Sequence, residues 1–361
     1  MALWAGLVTT TLFLMFGDAW LADLSGPLHY GLLFGWLFVI MLWLAFNVVR
    51  HADSLAVLLG EPYGTLILTV SVISIEVIMI SAVMLTGVEN PTLARDTLFS
   101  VLMIVMNGMV GVTLLLGGLR HGEQSYNLKG STAYLGVIIP LAGLGLVLPR
   151  YTTSAPGGEV TPLMGGFLIV MSIGLYAVFL AIQTLRHRSF FQQPTQPTDE
   201  SEAVDDHGDL IVRSVGYHAL LLPLTMLPIV LLSKKMAVLV DHGIATLGAP
   251  QALGGFLVAV LVLSPEGVAA IRSALENRLQ RTMNIALGSA LATIGLTIPA
   301  VLGIGFATGQ RIELGLAEAE VYLLTLTLLV AIVNLNSERT NALQGIVHLI
   351  LFVTYLILIF D

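Results

Sequence analysis

Two stretches decide how this chain folds: "YGTLILTVSVISIE" (63–76) and "LGGFLVAVLVLSPE" (253–266). Laid one over the other without a gap, they match Gly64 to Gly254, Ser74 to Ser264 and Glu76 to Glu266. Each is almost wholly apolar until its glutamate. With a short gap the match continues: "LARDTL" (93–98) meets "LQRTMN" (279–284), which sets Arg95 against Arg281.

The rest of the chain has the same character. Of 361 residues 56% are hydrophobic and 11% charged, against about a quarter charged in soluble domains. Mean hydropathy is +0.91. Such a chain is an integral membrane protein. A spanning helix needs about 20 apolar residues, and eleven candidates follow, at about 2–17, 28–49, 63–87, 97–119, 132–149, 163–185, 214–240, 251–274, 282–308, 319–336 and 341–360. The first is short. The seventh holds Pro223 and Pro228 and is expected to bend there. The N-terminus lacks a basic region and reads as a first helix, not a cleaved signal.

The two matched stretches fall in the third and eighth spans. An odd separation makes them cross the membrane in opposite directions, which is an inverted-topology repeat. The expected fold is therefore an all-α polytopic bundle of one extra helix (1–24), a first five-helix repeat (25–188), a linker (189–213) and a second, inverted repeat (214–361).

Orientation follows from Lys and Arg in the loops. With the N-terminus inside, the inner side holds ten: Arg50, Arg120, Lys129, Arg186, Arg188, Arg213, Arg272, Arg278, Arg281 and Arg339. The outer side holds five: Arg95, Arg150, Lys234, Lys235 and Arg311. The expectation is a cytoplasmic N-terminus, an outer C-terminus and a place in the cell's inner (plasma) membrane. The linker "RHRSFFQQPTQPTDESEAVDDHGDLIVR" is acidic, with Asp199, Glu200, Glu202, Asp205, Asp206 and Asp209. It reads as a solvated interdomain segment, or as a weak divalent-cation or regulatory site. It has no EF-hand spacing.

Almost all acidic residues lie in loops or at span ends. Glu76 and Glu266 do not. A charge at the bilayer centre costs about 3 kcal/mol or more on insertion scales, and two at matching places of two repeats point to function. Ser74 and Ser264 stand two residues before the glutamates and offer hydroxyl oxygens. Pro265 removes a backbone donor and is expected to disturb the preceding turn, freeing carbonyls. Hard cations such as Ca²⁺ take about six to eight oxygens, carboxylates and carbonyls among them. Asn107, Ser289, Thr293 and Ser100 lie in the following spans and could complete a shell, or serve as packing residues. The glycines of "VMNGMVGVTLLLGG" and "GIGFATG" read as close helix packing. His218 and His348 fall inside spans and read as interior packing residues, with proton relay as the alternative. Asp53 and Glu61 flank the inner mouth of the third span.

The tracts "VRHADSLAVLLGEPYGTLILTVSVISIEV" and "LVLSPEGVAAIRSALENRLQRTMNIALGSALATIGLTIP" closely resemble the bacterial ChaA-type cation/proton antiporters of the calcium/cation antiporter superfamily, from about residue 45 to the C-terminus. The resemblance implies cation efflux driven by proton entry, with the repeat glutamates, here Glu76 and Glu266, binding proton and cation in turn. Ca²⁺, Na⁺ and K⁺ are the substrates it implies. One departure stands out. The calcium-exchanger branch carries Asn three residues before each Glu, where this chain has Ile73 and Leu263.

The expected function is secondary transport: export of a cation, with Ca²⁺ favoured and Na⁺ or K⁺ as further possibilities, in exchange for protons. The alternatives are a cation channel, or Na⁺(K⁺)/H⁺ exchange without Ca²⁺. An intramembrane enzyme is disfavoured, because there is no paired membrane Asp and no GxSxG. The chain has no cysteine, hence no disulfide and no thiolate metal site. Cations, protons and lipid are the expected partners. No resident cofactor and no nucleic acid are expected.

Overall fold

The structure, a computed structural model, describes residues 1–60, 63–84, 90–155, 157–194 and 213–361. The acidic residues of the linker and Glu61 lie outside these. Eleven helices follow in order among the described residues: α1 Ala2–Leu21, α2 Pro27–Leu59, α3 Tyr63–Met84, α4 Leu93–His121, α5 Leu128–Tyr151, α6 Pro162–Arg186, α7 Val215–Leu247, α8 Ala252–Leu275, α9 Leu279–Thr308, α10 Glu318–Asn334 and α11 Ala342–Ile359. Nine are long and apolar enough to cross a membrane, and α3 carries a shorter apolar run over Leu66–Ala82. Helices suit this sequence because each satisfies its own backbone where no water reaches.

Local signals set the ends. Ser214 accepts from the Tyr217 amide at the start of α7. Thr161 does the same for Met164, ahead of a proline at the first helical position of α6. Gly60 closes α2 at φ 64°, a left-handed region open to glycine, and its N–H returns to the Ala56 carbonyl. Gly60 is thus the stop of α2.

One expectation about the lysines is corrected. α7 is one helix that includes Pro223 and Pro228 and runs on to Leu247. Lys234 and Lys235 therefore sit within a helix rather than in a loop, and Lys235 pairs with Asp18 near the end of α1. At about 1.5 Å per residue, the 33 residues of α2 and of α7 reach about 50 Å, well beyond the hydrocarbon thickness of about 30 Å. The extra turns place polar residues past the apolar layer.

The helices gather into two compact units, each drawing on both halves of the chain. The first holds α1, α2, α3, α7 and α8 up to Pro265. Its core is aliphatic, with Leu37, Met41, Leu44 and Val48 of α2 against Leu239 and Ile229 of α7, Ile75 and Met79 of α3 and Leu261 of α8. The second holds α4, α5, α6, α8 from Glu266, α9, α10 and α11.

In the second unit, α4 and α11 approach backbone to backbone. A Cβ on Gly345 would lie 2.4 Å from the Leu115 nitrogen, and one on Gly118 would lie 2.5 Å from the Ala342 nitrogen. Glycine is what permits that contact, as the packing reading of "VMNGMVGVTLLLGG" anticipates. Two short strands depart from the all-helical expectation: β1 Gln124–Ser125 and β2 Arg339–Thr340 pair antiparallel between the helix ends.

Candidate functional site

In the first unit, α3 carries the first glutamate. Glu76 is 1% exposed, with Ile73 and Ile75 buried beside it and Ser74 half-buried. Helical geometry turns Ser74 and Glu76 about 200° apart around the axis, so the serine sits on a different face from the carboxylate.

The second glutamate lies on α8, which stays helical from Ala252 to Leu275. The helix runs on through Pro265. Proline still supplies no N–H to the carbonyl one turn earlier. The hydroxyl of Ser264 is directed back to the Val260 carbonyl.

Glu266 is half-buried, and its Oε2 accepts a hydrogen bond from the Ser289 hydroxyl at 2.6 Å. That is the length of a charge-assisted O–H···O⁻ bond. Of the six residues singled out as cation or proton ligands, these two are brought directly together. They join α8 to α9 inside the second unit.

Asn107 is fully buried but engaged elsewhere. Its Nδ2 donates to Thr327 Oγ1 of α10 at 2.8 Å, and its Oδ1 faces His348 Nδ1 of α11 at 3.2 Å. Ser100 is likewise committed, to the Asp96 carbonyl at 2.6 Å and to the Tyr355 hydroxyl at 2.6 Å. Thr327, His348 and Tyr355 are the partners that sequence reasoning did not assign. Each lies in a mostly apolar run, which is a weak signal without knowing what faces it.

Four of the described spans widen to a π turn: α5 over Gly143–Val147, α6 over Ile182–Arg186, and the two spans that follow the glutamates. In α4 the helix widens to a π turn over Ile104–Met109, which contains Asn107; in α9 it does so over Thr293–Thr297. Counted from the matched Arg95 and Arg281, the turns begin nine and twelve residues on. π turns leave backbone groups out of register and recur at functional sites. Asn107 and Thr293, both read from sequence as possible ligands, sit in the two turns.

The fold and these residues define a polytopic α-helical membrane protein built on two acid-bearing, oppositely directed spans. The sodium/calcium exchanger protein family matches residues 29–185 and 217–360, and the chain belongs to that family. It is 42% identical over 317 residues to the sodium-potassium/proton antiporter ChaA of Escherichia coli (strain K12), covering 88% of this chain and 85% of that one. In fold it is similar to native YfkE, with a TM-score of 0.75 at 16% identity over 100% of this chain and 99% of the other. It is also similar to the H+/Ca2+ exchanger CAX, with a TM-score of 0.65 at 16% identity over 98% and 87%.

Proposed function

We propose that this chain is a cation/proton antiporter in which Glu76 and Glu266 bind protons and cation in turn. The observation that carries the reading is the pair itself: a carboxylate at the same place in each of two matched, oppositely directed spans, one of them 1% exposed. Burial favours the neutral, protonated carboxyl. A cation arriving beside it favours the ionised form and displaces the proton. Two ionised glutamates without a cation are costly inside a membrane, so each site holds either proton or cation, and that exclusion is the coupling. Ser289 supports the ionised form of Glu266. Ser264 and Asn107 are further oxygen donors in this proposal, whereas Ser74 lies on another face of α3 from Glu76. Loop charge supports an N-terminus on the cytoplasmic side of the plasma membrane, with the proton entering from outside.

The cargo is an alkali cation or Ca²⁺. Ile73 and Leu263 bring no amide oxygen where the calcium-exchanger pattern has one, and the Escherichia coli relative is named for sodium and potassium. Both favour Na⁺/H⁺ or K⁺/H⁺ exchange alongside, or in place of, Ca²⁺/H⁺ exchange. Proton-flux quenching in everted vesicles tests the reading, with Na⁺, K⁺ and Ca²⁺ added separately at neutral and alkaline pH. Each transported cation collapses the proton gradient in wild type, and Glu76→Gln and Glu266→Gln abolish the response. Wild-type rates in both variants would overturn it, and cation flux without proton movement would favour a channel.

A further inference from the structure

Two hydroxyls of α9 reach across to α8, and they lie on one line. Thr282 Oγ1 donates to the Ala270 carbonyl at 3.1 Å, and Ser289 Oγ donates to Glu266 Oε2 at 2.6 Å. Thr282 and Ser289 stand seven residues apart in regular helix, close to two full turns, so they share a face. On α8, Ala270 stands one turn beyond Glu266 and shares its face in the same way. Thr282 and Ala270 are both 0% exposed. Ala286, buried on the same face of α9 between the two hydroxyls, allows a close approach.

The pairs 270–282 and 266–289 step in opposite senses, so the two helices are antiparallel. At about 1.5 Å per residue, Thr282 and Ser289 are about 10.5 Å apart along α9, and Ala270 and Glu266 about 6 Å apart along α8. Side-group direction makes up the difference. A helical carbonyl points toward the C-terminal end and a side chain leans toward the N-terminal end. The Ala270 oxygen and the Glu266 carboxylate are therefore farther apart than their Cα atoms. The two bonds thus fit one setting of α9 against α8. Thr282 Oγ1 also stands 3.5 Å from the Arg278 carbonyl of its own helix start. Its one hydrogen goes to the shorter contact, across the seam.

We propose that Thr282 is a positioning residue of the cation site: by holding the Ala270 carbonyl it sets the height of α9 on α8 and so delivers the Ser289 hydroxyl to Glu266. The proposal rests on the antiport reading above. Thr282 touches no cation and acts through Ser289. A serine hydroxyl sits on a one-carbon stem and cannot follow a sliding helix. O–H···O bonds are made at about 2.5–3.0 Å, so a slide of about 1 Å breaks the one to Glu266.

The test is a double-variant cycle in everted vesicles, read as the concentration of Na⁺, K⁺ or Ca²⁺ that gives half-maximal proton flux. Thr282→Val keeps the branched shape and removes the donor. It is expected to raise the half-saturating concentration about three- to tenfold, as coupling within one hydrogen-bond network does, while the maximal rate changes less. Thr282→Ser keeps the donor and restores the wild-type value. In a Ser289→Ala background no hydroxyl is left to deliver, so Thr282→Val adds less than about twofold. A side chain that only stabilises the fold shifts half-saturation by the same factor in both backgrounds. That result, or an unchanged half-saturating concentration in Thr282→Val, would overturn this proposal alone. If Thr282→Val does not accumulate in folded form, Thr282→Ala is read in the same way. If no cation drives proton flux in wild type, the antiport reading falls and this proposal with it.

Discussion

The Ser289 hydroxyl donates to Oε2 of Glu266 across 2.6 Å, tying α9 to the glutamate of the second repeat. This bond fixes where the carboxylate points. It also favours the charged carboxylate over the neutral acid, because a hydroxyl donor is worth more to an anion.

Ser289→Ala tests that bond. A hydrogen bond to a charged group contributes about 1.5–3 kcal/mol, and every 1.4 kcal/mol is about tenfold in affinity. The cation concentration for half-maximal proton flux is expected to rise about tenfold or more. Ser289→Thr keeps the hydroxyl and restores most of the affinity. Equal half-saturation in wild type and the Ala variant would leave Ser289 a packing residue.

A second pairing bears on pH. Nδ1 of His51 on α2 and Nδ1 of His218 on α7 are 2.9 Å apart, and the Arg213 backbone N–H donates to His218 Nε2 at 3.1 Å. The His218 hydrogen is therefore on Nδ1, and His51 accepts it. Both rings are neutral. An added proton sets two N–H groups face to face. The pairing is intact above the ordinary imidazole range, about pH 6.5, and opens below it. Hydrogen exchange over residues 213–219, corrected for intrinsic rates, is expected to accelerate on acidification in wild type and to lose that dependence in His51→Phe/His218→Phe. The same acid acceleration in the double variant would rule the pair out as its cause.

Tyr126 offers a stability prediction. It lies in the turn between α4 and α5, 1% exposed, and its hydroxyl has no hydrogen-bond partner among the described residues. Burial pushes the phenol well above its ordinary value of 10.0. The folded state thus keeps the neutral form while the unfolded chain ionises, so stability is complete below about pH 10 and falls above it. An unsatisfied buried hydroxyl costs about 1–3 kcal/mol. Tyr126→Phe is expected to raise the thermal unfolding temperature in detergent at neutral pH and to blunt the alkaline loss. A lower unfolding temperature would mean that the hydroxyl is satisfied in solution.

The α4–α11 contact has no room for a side chain. A Cβ on Gly345 meets the Leu115 nitrogen at 2.4 Å and the Gly111 oxygen at 2.7 Å, both backbone atoms. Overpacking of this kind costs about 1–3 kcal/mol. Gly345→Val is expected to unfold at lower temperature than wild type, whereas Gly136→Val, with nothing within 4 Å, is expected to be far milder. Equal unfolding temperatures would show that the helices part freely.

Much of this protein is written locally. Apolar runs of spanning length, bounded by Gly60 and by caps such as Thr161 and Ser214, are enough to lay out eleven helices, because each membrane helix satisfies its own backbone. The repeat and the Glu76–Glu266 match are legible for a related reason: an acid in an apolar run is costly wherever the run packs. Other features depend on what faces a residue across the bundle. Pro223, Pro228 and Pro265 mark possible distortions in the sequence, and the structure keeps all three inside helices that continue past them, α7 and α8. The π turn at Asn107 has no local code, because widening a helix by one residue is decided by the contacts it relieves. Nor could the sequence say that Asn107 answers to Thr327 and His348, or that Ser289 rather than Ser264 holds Glu266. Those partners lie far apart along the chain, and only tertiary packing brings donor and acceptor within reach.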